Sequence, residues 1–131
     1  MKSIATIIFI CIVNLFFSQE KNDVVYTIVE EQSEYPGGPQ EMYKFISNNI
    51  VFPISAKEDS LFTGCKSFIK FIVTEIGVVN NAEVIKGCNG CPDCDKEALR
   101  VVKLMPNWKP GRQDGKPVKV YYNLPIKFKP N

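Results

Sequence analysis

The chain has 131 residues, with 16 Lys and Arg against 14 Asp and Glu, five cysteines and no histidine. A net charge of +2 without a basic cluster provides neither the positive surface that nucleic acid needs nor a patch for an anionic membrane. The missing histidine removes Ser/His and Cys/His nucleophile pairs, mixed Cys/His metal sites and Cys-x-x-Cys-His haem attachment.

Lys2 opens the chain, and an almost wholly apolar run follows from Ile4 to Phe17, closed by the small Ser18. A basic start, a short apolar run and a small residue make a secretory-signal pattern. As a helix the run would span roughly 21 Å at about 1.5 Å per residue, short of the ~30 Å hydrocarbon core. Residues 1–18 are therefore expected to be a signal peptide and residues 19–131 a single periplasmic domain. If retained, the run would instead anchor the chain in the inner membrane, facing the periplasm. Cys11 lies inside the run and is read as part of the signal.

Residues 23–32 are β-rich, with Val24, Tyr26 and Ile28 alternating against Val25, Thr27 and Val29, and predict a first strand. Tyr35-Pro36-Gly37-Gly38 breaks it, with Pro and Gly where a tight turn uses them. Met42, Phe45, Ile46 and Asn49 then fall on one helical face, and Phe52-Pro53 ends that helix. Residues 54–60 suit one further helical turn. A hairpin follows: strand 66–74, a turn at Glu75-Ile76-Gly77, and strand 78–86. Residues 87–95 read as a cysteine-dense loop. A helix is predicted over 95–105, with Ala98, Val101, Val102 and Met105 on one face and Pro106 as its stop. Trp108-Lys109-Pro110-Gly111 and Asp114-Gly115 lead into the last strand. There Val118, Val120, Tyr122, Leu124, Ile126 and Phe128 alternate with Lys119, Tyr121, Asn123 and Lys127. This order predicts an α+β, two-layer domain with two helices packed on a small antiparallel sheet.

Several of these residues carry a family resemblance. Phe52-Pro53 before a strand, the Gly-containing hairpin and Val84-Ile85 come first. Glu97-Ala98-Leu99-Arg100 then opens a helix running into Met105-Pro106-Asn107-Trp108-Lys109-Pro110-Gly111, and the final strand follows. Together they resemble the C-terminal domain of TonB over about residues 24–129, and Tyr35-Pro36-Gly37-Gly38 resembles the lead-in of short TonB-like proteins. The resemblance implies a periplasmic protein-binding module, not an enzyme, that needs no cofactor or metal. Its implied partner is an outer-membrane TonB-dependent transporter or another envelope protein, captured as an extended peptide by strand addition. The implied docking edge is Val118, Lys119, Val120, Tyr121, Tyr122 and Asn123. The same edge would also allow a homodimer. No long proline-rich linker precedes the domain, so peptide binding is expected rather than force transmission. Pro125 either guards the edge or confines pairing to its upstream part. Trp108 is read as a packing anchor or as a groove-lining contact, with Tyr121 the better contact candidate.

Cys65, Cys88, Cys91 and Cys94 leave three readings open. An even count in an exported chain points first to disulfides, with Cys65 near the loop through the hairpin. Four thiolates would also suit zinc or an iron–sulfur cluster. Cys91-Pro-Asp-Cys94 ahead of a helix would suit a thiol–disulfide protein. The glycines lack phosphate-loop spacing, and Glu30, Glu31 and Glu34 suit a solvated face.

Overall fold

The computed structural model describes residues 23–130. The expected signal segment, residues 1–18, lies outside them. Eight elements follow in order: β1 (Val25–Tyr26), α1 (Pro39–Asn49), α2 (Ile54–Glu58), β2 (Cys65–Val73), β3 (Val79–Lys86), α3 (Pro92–Lys103), β4 (Gly111–Gln113) and β5 (Lys116–Phe128). The sheet runs β1-β5-β2-β3, with β4 paired to β5 away from that path.

The β2–β5 ladder is the spine of the fold. It pairs without interruption from Cys65↔Phe128 to Val73↔Val120. Ser67, Ile69, Phe71 and Val73 lie opposite Ile126, Leu124, Tyr122 and Val120, so the buried residues of both strands, Ile72 excepted, share one face. A slip of one residue would turn both rows to the other face, and their burial therefore fixes the register. Met42 and Ile46 of α1, with Ala98, Val101 and Val102 of α3, complete the core. At the β3 edge the ladder with β2 shifts register twice, between Phe68 and Ile69 and between Lys70 and Ile72, which disfavours a continuous added strand there.

The domain is α+β, but three of the predicted details change. The sheet is mixed rather than antiparallel, because β1 runs parallel to β5 through Val25↔Lys119 and Tyr26↔Val120. Among the described residues three helices form rather than two, the turn expected at 54–60 closing as α2. The predicted strand 23–32 shrinks to two residues. Beyond Tyr26 the chain bends away and leaves Ile28 87% exposed. β-propensity holds a strand only where a neighbour receives the side chain, and Ile28 has none. The chain instead zips against β4 and the residues just before it. The Glu31 and Arg112 main chains exchange N–H···O bonds of 3.1 and 2.8 Å, and those of Glu34 and Lys109 bonds of 2.9 and 2.8 Å.

Two boundaries also move. α3 begins at Pro92, not Asp95, because Pro fits the first helical position and Cys91 caps it. β4 and the start of β5 form a short hairpin over Asp114-Gly115, both at positive φ (53° and 74°), as a tight two-residue turn requires.

Candidate functional site

β5 is enclosed differently on its two sides. β2 covers one side from Val120 to Phe128. On the other, β1 pairs with Lys119 and Val120, and ahead of the β2 ladder β4 pairs with Lys116, Pro117 and Val118. Of the six expected docking residues, Val118, Lys119 and Val120 thus already face a strand of the chain itself. Tyr121, Tyr122 and Asn123 pair with β2 alone: no strand among the described residues pairs with the β1 side of β5 beyond Val120.

The side chains on this stretch divide by face. Tyr122 points into the core, its ring stacked on Phe71 at 5.4 Å and edge-on to Trp108 at 4.8 Å. Burial, with a smaller contribution from Tyr43, holds its phenol above the ordinary value. Tyr121 lies on the other face of the strand, with Lys70 Nζ 4.1 Å from its ring centroid. Asn123 is exposed. Lys119 Nζ stands 3.5 Å from Asp23 and 3.9 Å from Glu75, exposed pairs of small energetic weight. At the far end of the strand, Lys127 lies opposite Lys66, and its ammonium is held below the ordinary range by Lys129 first and Lys66 last.

Trp108 is the packing anchor of the two roles expected for it. It is 3% exposed, with Tyr35, Phe71 and Tyr122 rings around it at 5.7, 5.4 and 4.8 Å. Its main-chain N–H donates to the Gly77 carbonyl at 2.7 Å. Gly77 has φ of 84°, and any Cβ there would run into the Trp108 carbonyl, so only glycine fits the turn. The indole Nε1 has no hydrogen-bond partner.

The four cysteines gather at the opposite end of the β2–β5 ladder. Cys65 is bonded to Cys88 and Cys91 to Cys94, with Cα–Cα separations of 5.3 Å in both bridges. The hairpin brings Cys65 to the loop, as its position at the head of β2 predicts. Asp95 fixes that loop: its Oδ1 accepts from the Cys88 N–H at 2.8 Å and from the Ser67 hydroxyl at 2.7 Å. The sulfurs of Cys65, Cys88 and Cys94 lie within 4.8 Å of one another. Paired in disulfides, they offer no thiolate to a metal.

The strand order, the enclosed β5 and the Trp-Lys-Pro-Gly block after α3 now stand beside a sequence match. The Gram-negative bacterial TonB protein C-terminal family matches residues 48–130. The chain belongs to this family. It is a family of envelope protein-interaction domains rather than of enzymes. Neither a curated protein nor a solved structure matches the chain. The TonB C-terminal match starts inside α1, so β1 and the segment zipped to Lys109 and Arg112 precede it. No helix among the described residues is long and apolar enough to cross a membrane.

Sequence reasoning missed β4 and the cover that β1 gives to β5. Asp114-Gly115 was the available signal for the first, since that pair marks tight hairpins. The second had no local signal, because the pairing joins residues far apart in the chain.

Proposed function

We propose that this chain is a periplasmic TonB-type interaction module that captures an extended peptide by strand addition to β5. Residues 1–18 direct export and residues 19–131 are the working domain. The partner is an outer-membrane TonB-dependent transporter or another envelope protein. The observation that carries this reading is the short parallel contact of Val25 and Tyr26 with Lys119 and Val120. An extended segment already lies on that edge, and beyond Val120 the same side of β5 has no partner strand among the described residues.

A peptide continuing the line of β1 would meet Tyr121, Tyr122 and Asn123 first. Main-chain hydrogen bonds would supply most of the affinity, and the outward Tyr121 and Asn123 side chains the selectivity. Pro125 offers no N–H, so pairing is strongest before it. The like-charged Lys66, Lys127 and Lys129 favour a partner with an acidic residue at that end.

The test is an amide chemical-shift titration of residues 19–131 with peptides from the periplasmic N-terminal segments of TonB-dependent transporters. Shifts concentrated on residues 121–124 are expected. Shifts confined to β3, or none at millimolar peptide, would refute the proposed edge. A concentration-dependent dimer with the same residues perturbed and no peptide binding would make a second copy the occupant.

A further inference from the structure

We propose that the four cysteines form a thiol–disulfide exchange site with a fixed direction, taking two electrons from a dithiol. This goes beyond peptide capture and does not rest on it. Three observations carry it. The two disulfides are neighbours, because the sulfurs of Cys65 and Cys88 in one bridge and Cys94 in the other lie within 4.8 Å of one another. Their exposure is unequal: Cys88, Cys91 and Cys94 are only 4%, 3% and 0% exposed, and Cys65 alone is partly open. Finally, the sulfur of Cys91 caps α3 and accepts the Cys94 main-chain N–H at 3.2 Å.

These features order the exchange. An incoming thiolate meets the cluster at Cys65. It bonds to the Cys65 sulfur, the Cys65–Cys88 bond breaks, and the electron pair leaves on the Cys88 sulfur. The freed Cys88 thiolate is buried next to Cys94 and attacks the Cys94 sulfur. The Cys91–Cys94 bond then breaks and its pair leaves on Cys91. Exchange is faster when the departing thiol has a low pKa. Cys91 has the setting for that, since the N–H of Cys94 and the N-terminus of a 12-residue helix both favour its thiolate. Asp93 and Asp95 in the same turn oppose this, although Asp95 is engaged by Ser67 and the Cys88 N–H.

The second thiol of the donor attacks the donor sulfur held on Cys65, closes the donor's own disulfide and releases Cys65. The two protons of the dithiol end on Cys65 and Cys91. Overall, one dithiol and two protein disulfides become one donor disulfide, a Cys88–Cys94 bond and two thiols. The substrate class is a dithiol, and the product is a chain whose remaining bridge is one the oxidised fold does not contain.

The experiment treats the oxidised exported protein with limiting dithiothreitol, quenches in acid, alkylates the free thiols and maps the peptides. The expected two-electron-reduced species carries label on Cys65 and Cys91 together and retains a Cys88–Cys94 bond. Label on Cys65 and Cys88 together, or on Cys91 and Cys94 together, would show two independent bridges and overturn the proposal. The double variant Cys65→Ser/Cys91→Ser gives a check that needs no transient species. It should close the Cys88–Cys94 bond on oxidation while keeping the wild-type far-ultraviolet spectrum. A folded double variant whose two thiols stay alkylatable would also overturn it.

Discussion

The two ends of the β2–β5 ladder are held by different chemistry. At the end nearer Val73, Trp108 closes over Phe71 and Tyr122 with no covalent link, its main chain tied to Gly77. At the Cys65 end, two disulfides and one aspartate fix the loop, and the Phe52, Phe62 and Phe128 rings pack edge-on beside it. α3 runs between them, starting on Cys91 and leading to Trp108. The aromatic end gains its stability in the folded state, from buried area and ring contacts. The sulfur end gains much of its stability by restricting the unfolded chain. The two should therefore respond differently to mutation, reductant and pH.

The largest effect belongs to the aromatic end. Trp108→Ala removes a buried indole among three rings and should cost about 3–5 kcal/mol, read from urea unfolding. Trp108→Phe should cost much less, because the buried Nε1 has no partner to lose. Equal losses in the two variants would mean that the indole N–H is bound after all.

How far each end was legible in the sequence follows from the same contrast. Val118 to Phe128 alternate, so the strand and its core face could be read by period alone. The Glu75-Ile76-Gly77 turn was legible because a positive φ calls for glycine, yet the docking of Trp108 on it joins residues 31 positions apart and left no local mark. At the other end, the four cysteines predicted bridges but not their pairing, which the meeting of a strand, a loop and a helix decides. The start of α3 was misplaced because cysteine density read as loop, although Pro92 with Asp93 and Asp95 is a helix-opening pattern. On β5 the six docking residues were legible as a strand. That β1 and β4 already cover half of them was not, since β1 is only two residues long.

The next effect belongs to the sulfur end. Cys65→Ser/Cys88→Ser opens a bridge between residues 23 apart, and chain entropy puts the loss at about 3 kcal/mol. Cys91→Ser/Cys94→Ser opens one spanning three residues, for which the same relation gives about 2 kcal/mol. Reductant should lower the wild-type unfolding midpoint and leave that of the four-serine variant unchanged. A wild-type midpoint insensitive to reductant would assign the stability of this end to packing.

Asp95→Ala should come third, at about 1–3 kcal/mol, since it strands the buried Ser67 hydroxyl and the Cys88 N–H together. Hydrogen exchange should quicken at Cys88 and be unchanged at Trp108, which separates local loosening from global destabilisation.

The smallest effect probes α3 between the two ends. Glu97 accepts from the Arg100 guanidinium at 2.6 and 2.8 Å and from the Val51 N–H, and Arg100 in turn donates to the Asn49 carbonyl at 2.7 Å. These bonds tie α3 to the segment between α1 and α2. The Arg100 hydrogen bond is the main cause that holds the Glu97 carboxyl below its ordinary 4.5, with burial opposing. A carboxyl with a lowered folded-state pKa contributes its stability above the unfolded value, and the contribution fades as pH falls through the folded one. The stability difference between wild type and Glu97→Gln should accordingly be full at neutral pH and shrink steadily below about 4.5. Because Arg100 is about half exposed, added salt should shrink it too. A difference that stays constant from pH 7 to pH 3 would mean that Glu97 acts through its shape and its bond to Val51, with the charge on Arg100 irrelevant.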